Sequence, residues 1–184
     1  MNTKAERVLR YADYYQGLFK IYFDWILEIL IKIGDLRSEQ GLILDYGCGY
    51  GYLKKRLKTW VIGYDIIPEL SDVPDYRVLK PAQIVLNNVL EHLYPEEIKN
   101  LLLDFEKMNP EAVLLVCLPT ENWLAKAIIR LLNYKDAHEG HVTGYREISK
   151  ILEKKYYPWK RRFIFFGLAQ VAKYIPIQSL QEKK

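Results

Sequence analysis

Leu42-Ile43-Leu44-Asp45-Tyr46-Gly47-Cys48-Gly49-Tyr50-Gly51 constrains this chain more than any other stretch. It reads as a short apolar strand that ends on a carboxylate and runs into three glycines spaced two apart. Leu53 and Leu57 follow at helical spacing, with Lys54, Lys55, Arg56 and Lys58 on the other faces. The unit is therefore strand, glycine turn, helix. Glycine tolerates positive φ and lets another molecule approach bare backbone. A parallel strand ending there places a ligand at its carboxyl end. A dinucleotide turn needs G-x-G-x-x-G, and counting from Gly47 the third glycine would fall on Tyr52. Asp45 would also repel a pyrophosphate. It would welcome a ligand that carries positive charge.

The next apolar run, Trp60-Val61-Ile62-Gly63-Tyr64-Asp65, again ends on an acid. Its spacing from the glycines makes a βαβ unit whose terminal Asp65 can accept ribose hydroxyls. Gln83-Ile84-Val85-Leu86-Asn87-Asn88 is a third buried strand, running into Val89-Leu90-Glu91-His92-Leu93 and a helix from about Pro95 to Met108. Ala112 to Pro119 is wholly apolar, as the middle of a parallel sheet requires. Thr120 is placed to cap a helix from Glu121 to about Leu132. Asn133 to Gly144 reads as a polar loop, Tyr145 to Lys155 as a helix, and Tyr156 to Phe166 as an aromatic, basic strand. Leu168 to Tyr174 reads as a short amphipathic helix, and Gln178 to Lys184 as a frayed tail. Between Ile66 and Pro81 three prolines leave little room for a helix and a strand, so Arg77-Val78-Leu79 is expected to be vestigial. Alternating strands and helices predict an α/β fold: a doubly wound, mostly parallel, Rossmann-like sheet with helices on both faces and a shortened third-strand region.

D-x-G-x-G-x-G from Asp45, Asp65 in register, the N-x-L-E-H-L segment from Asn88 and the apolar strand after it together resemble the class I S-adenosylmethionine-dependent methyltransferases, of the type 11 small-molecule kind. The resemblance spans roughly residues 42–157. It implies S-adenosylmethionine as methyl donor, held by Asp45, Gly47, Cys48, Gly49, Gly51, Asp65, Ile66, Asn87 and Asn88. The family commonly has an acid near the start of the strand where Gln83 stands. Tyr76 and Arg77 are candidates for stacking on adenine. Methyl transfer from such a donor is a displacement that rests on alignment and desolvation, with a general base helping where the acceptor is a hydroxyl or a protonated amine. His92 and His141 are the candidate catalytic residues, with His138 in the same loop as His141. One subgroup of the superfamily binds a divalent ion through a Glu followed three residues later by Glu-His. Here Asn88 replaces the first Glu, and His138 and His141 lack H-E-x-x-H spacing, so no metal is expected.

At 184 residues the chain is expected to form one domain: an N-terminal helical lid over 1–34, a cofactor core over 42–157 and a substrate or interaction segment over 158–184. Lys20, Asp24, Glu28 and Lys32 make one polar stripe on an otherwise apolar N-terminal helix, which should pack on the sheet or pair two chains. Tyr11, Tyr14 and Tyr15 are candidate lid residues. A net charge of +4 is too mild to require nucleic acid. Lys160, Arg161 and Arg162 among aromatics would suit RNA phosphates, an anionic membrane surface, or simply a solvated edge strand. Cys48 and Cys117 form no metal or disulfide pattern, and Met1 to Arg10 has no signal core, so a reduced cytoplasmic protein is expected. A small-molecule or lipid-like acceptor is the favoured reading. An RNA or protein methyltransferase and a non-catalytic cofactor-binding scaffold are the alternatives.

Overall fold

The computed structural model describes residues 17–39, 41–57, 60–120 and 141–181. Helix α1 (Gly17–Gly34) leads into strand β1 (Ile43–Tyr46), the short helix α2 (Tyr52–Leu57) and strand β2 (Val61–Tyr64). Two 3₁₀ turns follow, at Pro68–Leu70 and Tyr76–Val78. Strand β3 (Gln83–Asn87), a 3₁₀ turn at Leu90–His92, helix α3 (Pro95–Met108) and strand β4 (Val113–Pro119) complete the parallel part. Helix α4 (Tyr145–Leu152), strands β5 (Tyr156–Ile164) and β6 (Ala169–Pro176) and the short helix α5 (Ile177–Gln181) close the described chain.

The sheet order is β2-β1-β3-β4-β6-β5. β1, β2, β3 and β4 are mutually parallel, and β6 and β5 run antiparallel to their neighbours. The winding reverses between β1 and β3, so the crevice for a ligand lies beyond the carboxyl ends of those two strands. Alternation along the strands feeds two cores. Ile43, Val85, Leu115 and Val171 face α1 and α2, whereas Leu44, Ile84, Leu86, Leu114 and Val116 face α3 and α4. This is the helix–sheet–helix sandwich that the apolar runs predict.

The N-terminal helix packs on the sheet through Ile26, Leu27, Leu30 and Ile33. Its polar stripe turns inward to α2: Arg56 reaches Asp24 at 2.6 Å and Glu28 at 2.8 Å. Pro95 begins α3, and the Glu97 carboxylate reaches back to accept from the Tyr94 N–H at 2.7 Å. No helix among the described residues is long and apolar enough to cross a membrane.

Three expectations are corrected. Residues 169–176 form a strand where a short amphipathic helix was expected. Hydrogen bonding to β4 on one side and β5 on the other holds the backbone extended there, and most of its side chains are buried. Residues 177–181 are helical where a frayed tail was expected. Arg77-Val78-Leu79 adds no strand, because the Asp75 carboxylate accepts from the Arg77 N–H and winds the backbone into a 3₁₀ turn. The helix read over Glu121 to Leu132, Tyr11, Tyr14 and Tyr15, and His138 lie outside the described residues. The Thr120 hydroxyl donates to the Gly167 carbonyl, so it clasps the β5–β6 turn.

Candidate functional site

β1 and β2 pair so that Asp45 stands opposite Gly63, and Asp65 follows one residue beyond the end of β2. The two predicted acids thus lie at the same end of adjacent strands. The glycine turn crosses above them. Gly47, Gly49 and Gly51 have φ of 76°, 50° and 66°. A Cβ on Gly47 would lie 2.5 Å from Val89 Cγ2, so the residue before the third 3₁₀ turn caps this glycine closely. A Cβ on Gly49 would meet nothing within 4 Å among the described residues. The turn is therefore packed below and open above.

Asp65 organises the turn. One carboxylate oxygen accepts from the Gly49 N–H at 2.9 Å and the other from the Ile67 N–H at 3.0 Å. Its backbone is held by the Ser71 hydroxyl, which bonds both the Asp65 N–H and its carbonyl. Each Asp65 oxygen retains a lone pair for a further donor. Asp72 accepts from the Gly63 N–H at 2.7 Å and pairs with Lys54 at 2.8 Å, fixing the proline-rich segment against β2. Ser71 and Asp72 escaped the sequence reading; the signal was a pair of polar side chains between two prolines.

Asp45 differs. It is buried, and no donor among the described residues reaches its carboxylate. Burial, then the charges of Asp65 and Asp72, push it up to about 7. A buried acid that is held protonated so far above the ordinary range is poised for a cationic partner. Cys48 Sγ points at the Leu70 carbonyl at 3.4 Å, and burial followed by the same three acids pushes its thiol up to about 12, so it is no nucleophile.

Asn87 and Asn88 end β3 beside the turn. The Asn88 N–H is used by the Cys117 carbonyl at 3.1 Å, and its φ is 55°. Asn87 Oδ1 is buried without a hydrogen-bond partner among the described residues. Ile66, predicted beside the cofactor, is 86% exposed just after Asp65. Tyr76 is corrected: it packs on Tyr46, Tyr64 and Phe105 and donates to Asp104, so it belongs to the α3 core. Arg77 pairs with Asp75 instead of facing the crevice. Gln83 lies at the opposite end of β3, bonded to the Gly34 carbonyl.

The two candidate histidines come together although far apart in sequence. The Val142 and Thr143 N–H groups donate to the Glu91 carbonyl at 2.8 and 3.3 Å, and the Thr143 hydroxyl donates to the Leu93 carbonyl at 2.6 Å. That strap sets the His141 ring 5.1 Å from the His92 ring, at 74°. Buried Glu91 joins them: one ligand atom from each of the three lies within 4.8 Å of the others.

A band of aromatics occupies the same rim. Residue pairing of Pro119 with Ala169 puts the β5–β6 turn at the carboxyl end of β4. From that turn Phe165 packs on Tyr22 and Trp25 of α1, at 4.6 and 4.5 Å between rings. Phe166 beside it is 94% exposed. Burial, with Cys117 and Glu91 nearby, raises the Tyr22 phenol. β5 forms the sheet edge, and Arg161 there pairs with Glu153.

No family model matches the sequence, and no curated protein matches it. Solved structures do. The PH0226 protein of Pyrococcus horikoshii superposes with a TM-score of 0.65 at 15% identity, over 89% of this chain and 93% of that one. Magnesium protoporphyrin IX methyltransferase of Synechocystis, with SAH bound, gives 0.59 at 15% identity, over 96% and 89%. A possible histamine N-methyltransferase of Thermotoga maritima gives 0.59 at 10%, over 92% and 96%. The chain has the fold of the class I S-adenosylmethionine-dependent methyltransferases.

Proposed function

We propose that this protein is an S-adenosylmethionine-dependent methyltransferase that acts on a small-molecule or lipid-like acceptor. The observation that carries the reading is Asp45: a buried acid that no donor among the described residues reaches, beneath a glycine turn that those residues leave open on its other side. The crevice fits the donor on two further counts, the orphaned Asn87 Oδ1 and the lone pairs left on Asp65.

S-adenosylmethionine supplies a methyl group already activated by its sulfonium. Asp45 meets its positive charge, and Gly47, Cys48, Gly49 and Gly51 offer backbone to its amino-acid end. Asp65 takes the ribose hydroxyls while it holds Gly49 in place, and exposed Ile66 covers the adenine. Asn87 Oδ1 accepts from an N–H of the ligand, and Asn88 bends the backbone at the end of β3. His92 and His141, on the same rim, face the acceptor and, with no cation bound to them, take up its proton where it has one to lose. The aromatic band of Tyr22, Trp25, Phe165 and Phe166 excludes water from the acceptor side and suits an apolar body. A solved relative in fold whose name gives magnesium protoporphyrin IX as acceptor, and whose chain is of similar extent, supports an acceptor of that scale.

The test is transfer of label. Incubation with methyl-labelled donor and fractionated extract should mark a small organic-soluble product. Donor binding with no label passed to any fraction would leave only a scaffold.

A further inference from the structure

We infer that Glu91, His92 and His141 form a binding site for one divalent first-row cation, such as Zn²⁺, Co²⁺ or Mn²⁺. Two imidazoles and one carboxylate are the donor types such ions favour, and three protein donors are what the described residues supply, fewer than the roughly four to six such ions take. One ligand atom of each residue lies within 4.8 Å of the others, a spread that small rotamer changes close onto a single ion.

The site is built rather than accidental. Glu91 is buried and rigid within the 3₁₀ turn Leu90–His92, so its carboxylate has a fixed base. His141 comes from a distant segment and is delivered by backbone: the Val142 and Thr143 N–H groups both end on the Glu91 carbonyl. Buried Thr143 adds a third tie, to the Leu93 carbonyl. The residue that supplies the carboxylate therefore also anchors the strap that brings the second imidazole. His92 is exposed and His141 half-buried, so an ion has a path from solvent. The cluster stands on geometry, independently of whether the glycine turn binds a methyl donor.

The experiment uses the untagged full chain, stripped with chelator and titrated with Co²⁺, read by calorimetry and by visible absorption of the bound ion. One equivalent should bind, and Zn²⁺ should displace it. His141→Ala and, at the exposed position, His92→Ala should each weaken Co²⁺ by more than about 100-fold with circular dichroism unchanged. Glu91→Gln tests the third ligand, with the two histidine variants deciding the matter should that buried change unfold the chain. No Co²⁺ uptake by the native chain, or uptake that both histidine variants retain, overturns the inference. Binding of S-adenosylhomocysteine to the same metal-free samples is measured in parallel, so failure of the cation site and failure of the methyl-donor reading are read separately.

Discussion

Replacing Asp45 with Asn is expected to make the ligand-free protein more stable at about pH 8 and, at the same time, to remove its grip on S-adenosylmethionine. Both effects come from one buried charge. The carboxyl of Asp45 is pushed up to about 7 by burial and then by Asp65 and Asp72. Between its ordinary value of 3.8 and about 7, the folded chain holds a proton that the unfolded chain releases. The unfolded state binds fewer protons, so stability falls as pH rises through that window and levels off above it. The difference is worth up to about 4 kcal/mol, less whatever the buried amide itself costs. Urea unfolding at several pH values should show the native chain losing stability from about pH 4 to about pH 7 relative to Asp45→Asn. For the proposed ligand the sign reverses, because the ionised carboxylate is what would meet the cation. Its loss should cost about 3 kcal/mol, or about 100-fold in affinity. A variant that loses stability at high pH, or keeps its affinity, would show that Asp45 is an ordinary core acid.

The second large effect separates two glycines of one turn. Gly47→Ala must hold an L-residue at a φ of 76° and push its Cβ against Val89, whose branched side chain has little freedom to move. Left-handed strain and overpacking together should cost about 2–5 kcal/mol. Gly49→Ala faces open space at a φ of 50° and should cost only about 1–2 kcal/mol of stability. Gly49→Arg should fold comparably yet bind no donor, since its side chain fills the crevice. Urea midpoints with paired ligand titrations distinguish the two. Equal destabilisation at both positions would mean that the turn is not packed below and open above.

Much of this architecture was legible in the residues. β1, β2, β3 and β4 are short, mostly apolar runs, and the two acids mark where β1 and β2 end, Asp45 near the end of β1 and Asp65 just past β2. The glycines reported their own turn. What failed was local in cause. Ala169-Gln170-Val171-Ala172-Lys173-Tyr174 has helix-forming residues and no clean alternation. It is a strand because it lies between β4 and β5, a tertiary fact. Arg77-Val78-Leu79 has strand-forming residues, yet a single side-chain bond from Asp75 decides its backbone. Tyr76 looked like a stacking residue and is a core ring because Tyr46, Tyr64 and Phe105 converge on it. The meeting of His92 with His141 depends on backbone bonds from Val142 and Thr143 to Glu91, which carry no signature in side-chain type. The rim aromatics were visible as composition but not as a group, since Phe165 reaches Tyr22 and Trp25 only through the β5–β6 turn.

The most direct measurement is calorimetric titration of the native chain with S-adenosylmethionine at about pH 6 and about pH 8. One site per chain is expected, with affinity that strengthens by about tenfold as Asp45 gives up its proton across that interval and with loss of binding in Asp45→Asn. No heat at millimolar ligand at either pH would contradict it, and so would binding that Asp45→Asn leaves untouched.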